Sequence, residues 1–227
     1  MTPATAEIDG GVRLAWASPD EFDRGRALHL LGRAERTRAV HTANTGLRDR
    51  FLLGRMLLRD LAADAGGVPA ETVEVTAVCE RCGAEHGRPR LRWSDVPAPP
   101  PNASLASCAH LVVAAIAPAG VAVGVDVEPA RVPRETDAAR RGAIVELLGG
   151  STRTAVRRWV RAEAVLKADG RGLRVEPGRI AFAETRVGRG ARGGVTARMP
   201  ASPTAYEVVD RRIEGCLVSL AVGRPTR

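Results

Sequence analysis

A chain of 227 residues and 24.0 kDa can bury a real core, as one large domain or as two lobes of about 110 residues. Its 44% hydrophobic and 26% charged residues are those of a soluble globular protein; no run approaches the roughly 18 apolar residues of a membrane span, and no basic-then-apolar leader opens the chain. The net charge of +8 with aromatics at only 3% counts against nucleic acid, since the arginines are scattered and few rings exist to stack bases. What remains is arginine-biased composition, a polyanionic small molecule or an acidic protein partner.

Val12 to Ala17 alternates like a short strand. Pro19-Asp20 then opens a helical stretch with the apolar set Phe22, Leu28 and Leu31. From Leu47 to Ala65, the residues Phe51, Leu52, Met56, Leu57 and Leu61 recur mostly at three- and four-residue spacings, which predicts an amphipathic helix ended by Gly66-Gly67. Thr72 to Val78 reads as a strand, followed by a loop from Cys79 to Pro89. Pro97-Ala-Pro-Pro-Pro-Asn102 cannot enter a helix or a central strand and reads as a connector.

Beyond the connector, Leu111 to Ala117 and Val121 to Glu128 are expected to form a hairpin turned by Pro118-Ala119-Gly120. Ser151 or Thr152 caps a helix running to about Ala168, terminated by Gly170. Two strand pairs follow, near 180–183, 195–199, 206–209 and 216–222. The expected fold class is α+β, with two similar α/β lobes related by a pseudo-twofold axis and an active site in the cleft between them. The expected boundaries are 1–102 for the N-terminal lobe and 103–227 for the C-terminal lobe.

Two runs carry chemistry. In Gly124-Val-Asp126-Val-Glu128, strand alternation puts Ala122, Gly124, Asp126 and Glu128 on one face, with the two carboxylates about 7 Å apart at their Cα atoms beside a recess left by small residues. In Trp159-Val-Arg-Ala-Glu163-Ala-Val-Leu-Lys167, helical spacing aligns Val156, Trp159, Val160, Glu163, Leu166 and Lys167 on one stripe. Lys167 is the only lysine among 34 basic residues. A carboxylate and an ammonium beside an apolar stripe need partners. Three carboxylates and a compact cation suit a divalent metal with a phosphate. The plainer alternatives are idle acids at a strand end and a local Glu163–Lys167 pair at i, i+4.

In this order and spacing, the two runs resemble the signature motifs of the Sfp-type 4′-phosphopantetheinyl transferases. Arg50-Phe-Leu-Leu-Gly-Arg55-Met-Leu-Leu-Arg59, His86-Gly-Arg88-Pro89 and Gly170-Arg-Gly172-Leu173 are similar to further family segments, so the resemblance spans about residues 12 to 222. It implies Mg²⁺-dependent transfer of 4′-phosphopantetheine from coenzyme A to a serine of an acyl, polyketide or peptidyl carrier protein, by a cytoplasmic monomer. Asp126, Glu128 and Glu163 match the metal-binding acids. Glu163, or a metal-bound water, matches the group that takes the serine proton, and Lys167 the phosphate contact. Arg50, Arg88 and Arg36 match cations that bind coenzyme A. In the most natural register Ser107 stands at a coenzyme A position where the family carries histidine, with His110 three residues on. Ala162 replaces a lysine that many members carry before the glutamate. These two departures support an alternative, a transferase-like protein that binds coenzyme A or a carrier domain without turning it over. Cys79, Cys82 and His86 suggest zinc or, more plainly, a turn with reduced thiols.

Overall fold

The chain builds two antiparallel sheets, each packed on one long helix. This computed structural model describes residues 3–8, 10–93, 96–130, 138–185 and 194–224. It divides after Gly120 into two compact units, Met1–Gly120 and Val121–Arg227.

In the first unit β1 (Ala4–Ile8) and β2 (Val12–Ala17) pair antiparallel, with Ile8 opposite Val12. Gly10 and Gly11 between them both adopt positive φ, a conformation that glycine reaches without steric cost. α1 (Arg24–Leu30) is capped by the Asp23 carboxylate, which accepts from Arg26 N. The helix therefore starts later than Pro19-Asp20 suggests, and Leu28 faces solvent while Phe22 and Leu31 are buried. α2 (Arg33–His41) precedes α3 (Thr45–Gly66), whose Asn44 cap and left-handed Gly67 bound the expected amphipathic helix. Its Leu52, Leu53, Met56, Leu57, Leu58 and Leu61 form the centre of the first core.

The strand expected over 72–78 is shorter: a 3-10 turn precedes β3 (Glu74–Thr76), which pairs with β4 (Arg90–Arg92). β5 (Asn102–Ser107) and β6 (Val112–Ala117) follow. They form a hairpin, Ser107 opposite Val112, closed by a turn in which Cys108 N donates to the Leu111 carbonyl. The sheet order is β1-β2-β6-β5-β4-β3.

The expected 111–117/121–128 hairpin is not formed. β6 has β2 on one edge and β5 on the other, so no edge remains for the next strand. The chain turns at Ala119-Gly120 and enters a different sheet. For the same reason 103–120 belongs to the first unit, and the division falls later than the proline-rich connector suggests.

The second unit opens with β7 (Ala122–Pro129), followed by α4 (Ala138–Leu148) and α5 (Thr152–Asp169). As the sequence predicts, Ser151 caps α5 and a left-handed Gly170 stops it. β8 (Ala181–Thr185) pairs with β9 (Gly194–Arg198), and β10 (Ala205–Ile213) with β11 (Cys216–Arg224). The order β7-β11-β10-β9-β8 makes β7 an end strand of its sheet. α5 packs its apolar stripe, from Ala162 to Ala168, on Ile180, Ala197, Met199, Tyr206, Val208 and Ala221.

Candidate active site

β7 is buried on both faces. Val123, Val125 and Val127 point one way and are 2% exposed or less. On the other face the expected recess is filled by α5. A Cβ on Gly124 would lie 2.0 Å from the Ala164 carbonyl oxygen and 2.4 Å from the Ala168 amide nitrogen, so glycine is what admits the helix backbone. The helix runs opposite to the strand. Its C-terminal turns cover Gly124, while Val156 and Val160 pack on Leu217, the residue paired with Glu128.

This packing delivers Lys167 to Asp126. Lys167 Nζ donates to Asp126 Oδ1 at 2.7 Å and to the Val125 carbonyl at 3.1 Å. Asp126 is only 8% exposed, and among the described residues its Oδ2 is buried without a hydrogen-bond partner. A buried carboxylate oxygen lacking a donor is unusual and costly. A hard cation would satisfy it, and carboxylate oxygen is the donor that Mg²⁺ prefers.

Glu128 is equally buried at 7%, and Glu163 is half-buried on α5; each has interactions of its own. Glu128 and Glu163 are, with Asp126, the acids of the expected metal set. Among the described residues, the ligand atoms that gather in a group of three within 4.8 Å of one another are those of Cys79, Cys82 and His86, not those of Asp126, Glu128 and Glu163. The ammonium of Lys167 supplies positive charge at Asp126.

A row of polar side chains that the sequence reading did not find continues from Asp126 across the sheet. Asp126 is opposite Ser219 on β11, and Ser219 is opposite Asp210 on β10. Ser219 is fully buried and donates from Oγ to Asp210 Oδ1 at 2.7 Å. Arg161 on α5 holds Asp210 Oδ2 through Nε at 3.0 Å and Nη2 at 2.9 Å, and reaches Glu184 through Nη1 at 3.2 Å. Burial works against the Arg161 cation, but Asp210 and Glu184 outweigh it and hold its pKa above the usual value. The available signal was two arginines, Arg157 and Arg161, one helical turn apart opposite a strand aspartate. It becomes visible only once the strand register is known.

At the end of α5, Arg171 pairs with Asp169 through Nε at 2.5 Å and Nη2 at 3.1 Å, and Tyr206 Oη donates to the same carboxylate at 3.1 Å. Burial opposes the Asp169 charge, yet the Arg171 and Tyr206 bonds bring its pKa below the ordinary carboxylate value. Burial and the neighbouring Asp169 charge push the Tyr206 phenol up to about 12. Arg171, Arg174 and Arg179 line a hollow of about 540 Å³ here, with Pro200 and Ala201.

The remaining sequence candidates lie in the first unit. Arg50 is half-buried on α3. Arg36 is exposed on α2 and donates to the His29 carbonyl at 3.2 Å. Arg88 lines a pocket of about 330 Å³ with Arg90 and Arg92, a concentration of cations that the sequence reading did not single out. Ser107 is exposed at the end of β5, and His110 is exposed in the turn that follows. Ala162 is fully buried in the second core. A lysine there would bury its charge, so packing accounts for the alanine.

Arg55 and Arg59 of α3 form a buried ion-pair cluster with Glu35 of α2. Glu35 binds Arg59 through Oε2 at 2.5 Å and lies 3.1 Å from Arg55 Nε through Oε1. All three residues are at most 6% exposed. The Arg55 Nε–Glu35 contact has ion-pair distance but not hydrogen-bond alignment, and burial lowers the Arg55 pKa despite Glu35.

Compared with known proteins, the chain matches no family model and no curated protein.

Proposed function

We propose that the protein is an Mg²⁺-dependent transferase that moves 4′-phosphopantetheine from coenzyme A to a serine of an acyl, polyketide or peptidyl carrier protein, releasing 3′,5′-ADP. The observation that carries this reading is Asp126, a buried strand carboxylate with one oxygen on Lys167 and the other without a partner. On this reading Asp126, Glu128 and Glu163 would hold the ion. When bound, Mg²⁺ neutralises the pyrophosphate and the departing nucleotide.

The chain's own groups have defined tasks. Lys167 carries three N–H donors; Asp126 and Val125 take two, which orients the ammonium and leaves one for a phosphate oxygen. Glu163 accepts the proton of the carrier serine. The serine oxygen forms a bond to the β-phosphorus as the bond from that phosphorus to the bridging oxygen breaks, and the electron pair leaves with 3′,5′-ADP. Arg50 and Arg88, with Arg36 as the weaker candidate, would contact coenzyme A. Arginine presents a planar fork to phosphate and stays charged throughout the working pH range. The reading also takes the two units as similar lobes of a cytoplasmic monomer, with Ser107 at a coenzyme A position.

A second reading has a specific observation in its favour. Ser107 and Ala162 stand where the resembled family carries a histidine and often a lysine, so on this reading the chain binds coenzyme A or a carrier domain without transfer. Intact-mass analysis after incubation with coenzyme A, Mg²⁺ and a panel of apo carrier proteins separates the two. A pantetheine-sized increase, abolished by Asp126→Ala with the fold intact, supports the transferase. Saturable coenzyme A binding with no increase on any carrier supports the binder and overturns transfer.

A further inference from the structure

We propose that Cys79, Cys82 and His86 form a zinc site on the loop between β3 and β4, with the fourth position taken by water. One ligand atom from each residue lies within 4.8 Å of the others, and Cys82 Sγ and His86 Nε2 are 3.0 Å apart. Around a tetrahedral zinc, sulfur and imidazole nitrogen are separated by about 3.6 Å and two sulfurs by about 3.8 Å. Loading the ion therefore needs Cys82 and His86 to part by only about 0.6 Å. Both cysteines are free thiols. Two thiolates and an imidazole select zinc over the hard cations that carboxylates hold.

The loop is already folded around these ligands. Cys79 N donates to the Ala84 carbonyl at 2.8 Å, and Gly83 N returns a bond to the Cys79 carbonyl at 2.8 Å. Gly83 takes φ +71°, and a Cβ on Gly87 would lie 2.3 Å from the Val78 carbonyl oxygen. Glycine is thus required both at the turn and where the loop closes on its own backbone. Among the described residues the group has three members, with Cys82 and His86 exposed, so solvent reaches the fourth position. Arg88 lies in the same loop, two residues after His86 and two before β4.

The site stands independently of the transferase reading, because its test reads the metal itself. Full-length protein purified under reducing conditions without a histidine tag is expected to carry one equivalent of zinc by elemental analysis. After exchange, Co²⁺ should give the strong ligand-field bands of a tetrahedral site with near-ultraviolet thiolate charge transfer. Cys82→Ser and His86→Ala should each lose that spectrum, while Cys216→Ser keeps it. In the wild-type chain, alkylation mapped by mass spectrometry should reach Cys79 and Cys82 only after chelation, a readout that needs no variant to fold. Absence of both zinc and a cobalt spectrum overturns the site. So does a cobalt spectrum that survives loss of Cys82 and His86 together, or a Cys79–Cys82 disulfide in the anaerobically purified protein.

Discussion

Lys167 is the one lysine in an arginine-rich chain, and its ammonium rests on Asp126 and the Val125 carbonyl. A compact point charge fits there, whereas a planar guanidinium needs a wider approach. Lys167→Arg should therefore lower carrier modification at least about tenfold, roughly 1.4 kcal/mol of transition-state stabilisation, with a nearly unchanged melting temperature. Wild-type rates in that variant would make the lysine a compositional remnant. Glu35 offers a purely structural counterpart. Glu35→Ala leaves Arg55 and Arg59 buried without their anion and should cost about 3–5 kcal/mol in denaturant unfolding. Tyr206 gives a pH signature. Its folded-state pKa of about 12 lies above the ordinary value of 10.0, so folding favours the neutral phenol. That contribution is fully present below pH 10.0 and lost as pH rises through about 12, because the native state then holds the extra proton. Tyr206→Phe should remove this alkaline loss, about 1–2 kcal/mol after solvent screening; an unchanged stability-pH curve would contradict the assignment. At this scale the sequence revealed the acids and the lysine but not their partners. Helical spacing offers Glu163 to Lys167 as readily as strand packing offers Asp126, and only the phase of α5 over β7 decides.

Element packing turns on Gly124, where the α5 backbone replaces a side chain. Gly124→Ala places a methyl group 2.0 Å from the Ala164 carbonyl, which forces the helix off the strand and should destabilise the protein by about 3 kcal/mol or more, measured by denaturant unfolding. Gly142 in α4 is the contrast, since nothing lies within 4 Å of a Cβ built there. Gly142→Ala should stabilise by about 0.5–1 kcal/mol through helix propensity alone. α3 and α5 were legible because apolar spacing, a polar N-cap and a C-terminal glycine agree in each. The β10–β11 and β8–β9 pairs were legible from short runs near 180–183, 195–199, 206–209 and 216–222. The misread hairpin has a physical cause. Pro118-Ala119-Gly120 signals a reversal but carries no information on which edges are free, and β6 had already given both to β2 and β5. β5 and α4 were missed because their runs are rich in alanine, serine or arginine and show neither a clean two-residue nor a 3.6-residue period, and β1 because its alternation lasts only five residues.

Over the whole chain, the proline-rich connector pointed to a division near residue 102, yet contacts divide the molecule after Gly120. Composition marks where a chain is irregular, whereas a domain ends where strand pairing ends, and β5 and β6 complete the first sheet after the prolines. Composition does fix the charge, and the net +8 belongs to the molecule rather than to any one site. Carrier domains acidic around the modified serine would be attracted by it before any contact forms. Such attraction acts on encounter and is screened by salt, with a Debye length of about 10 Å at 0.1 M and about 3 Å at 1 M. kcat/KM for an acidic apo carrier should then fall about tenfold or more as salt rises through that range, while kcat at saturating carrier stays nearly constant. A carrier whose surface acids are replaced by their amides should start from a lower kcat/KM and show little further dependence. The same salt series with coenzyme A varied at saturating carrier separates screening of the nucleotide from screening of the protein. If kcat/KM for the acidic carrier is insensitive to salt, the arginine excess plays no part in encounter and reflects composition alone.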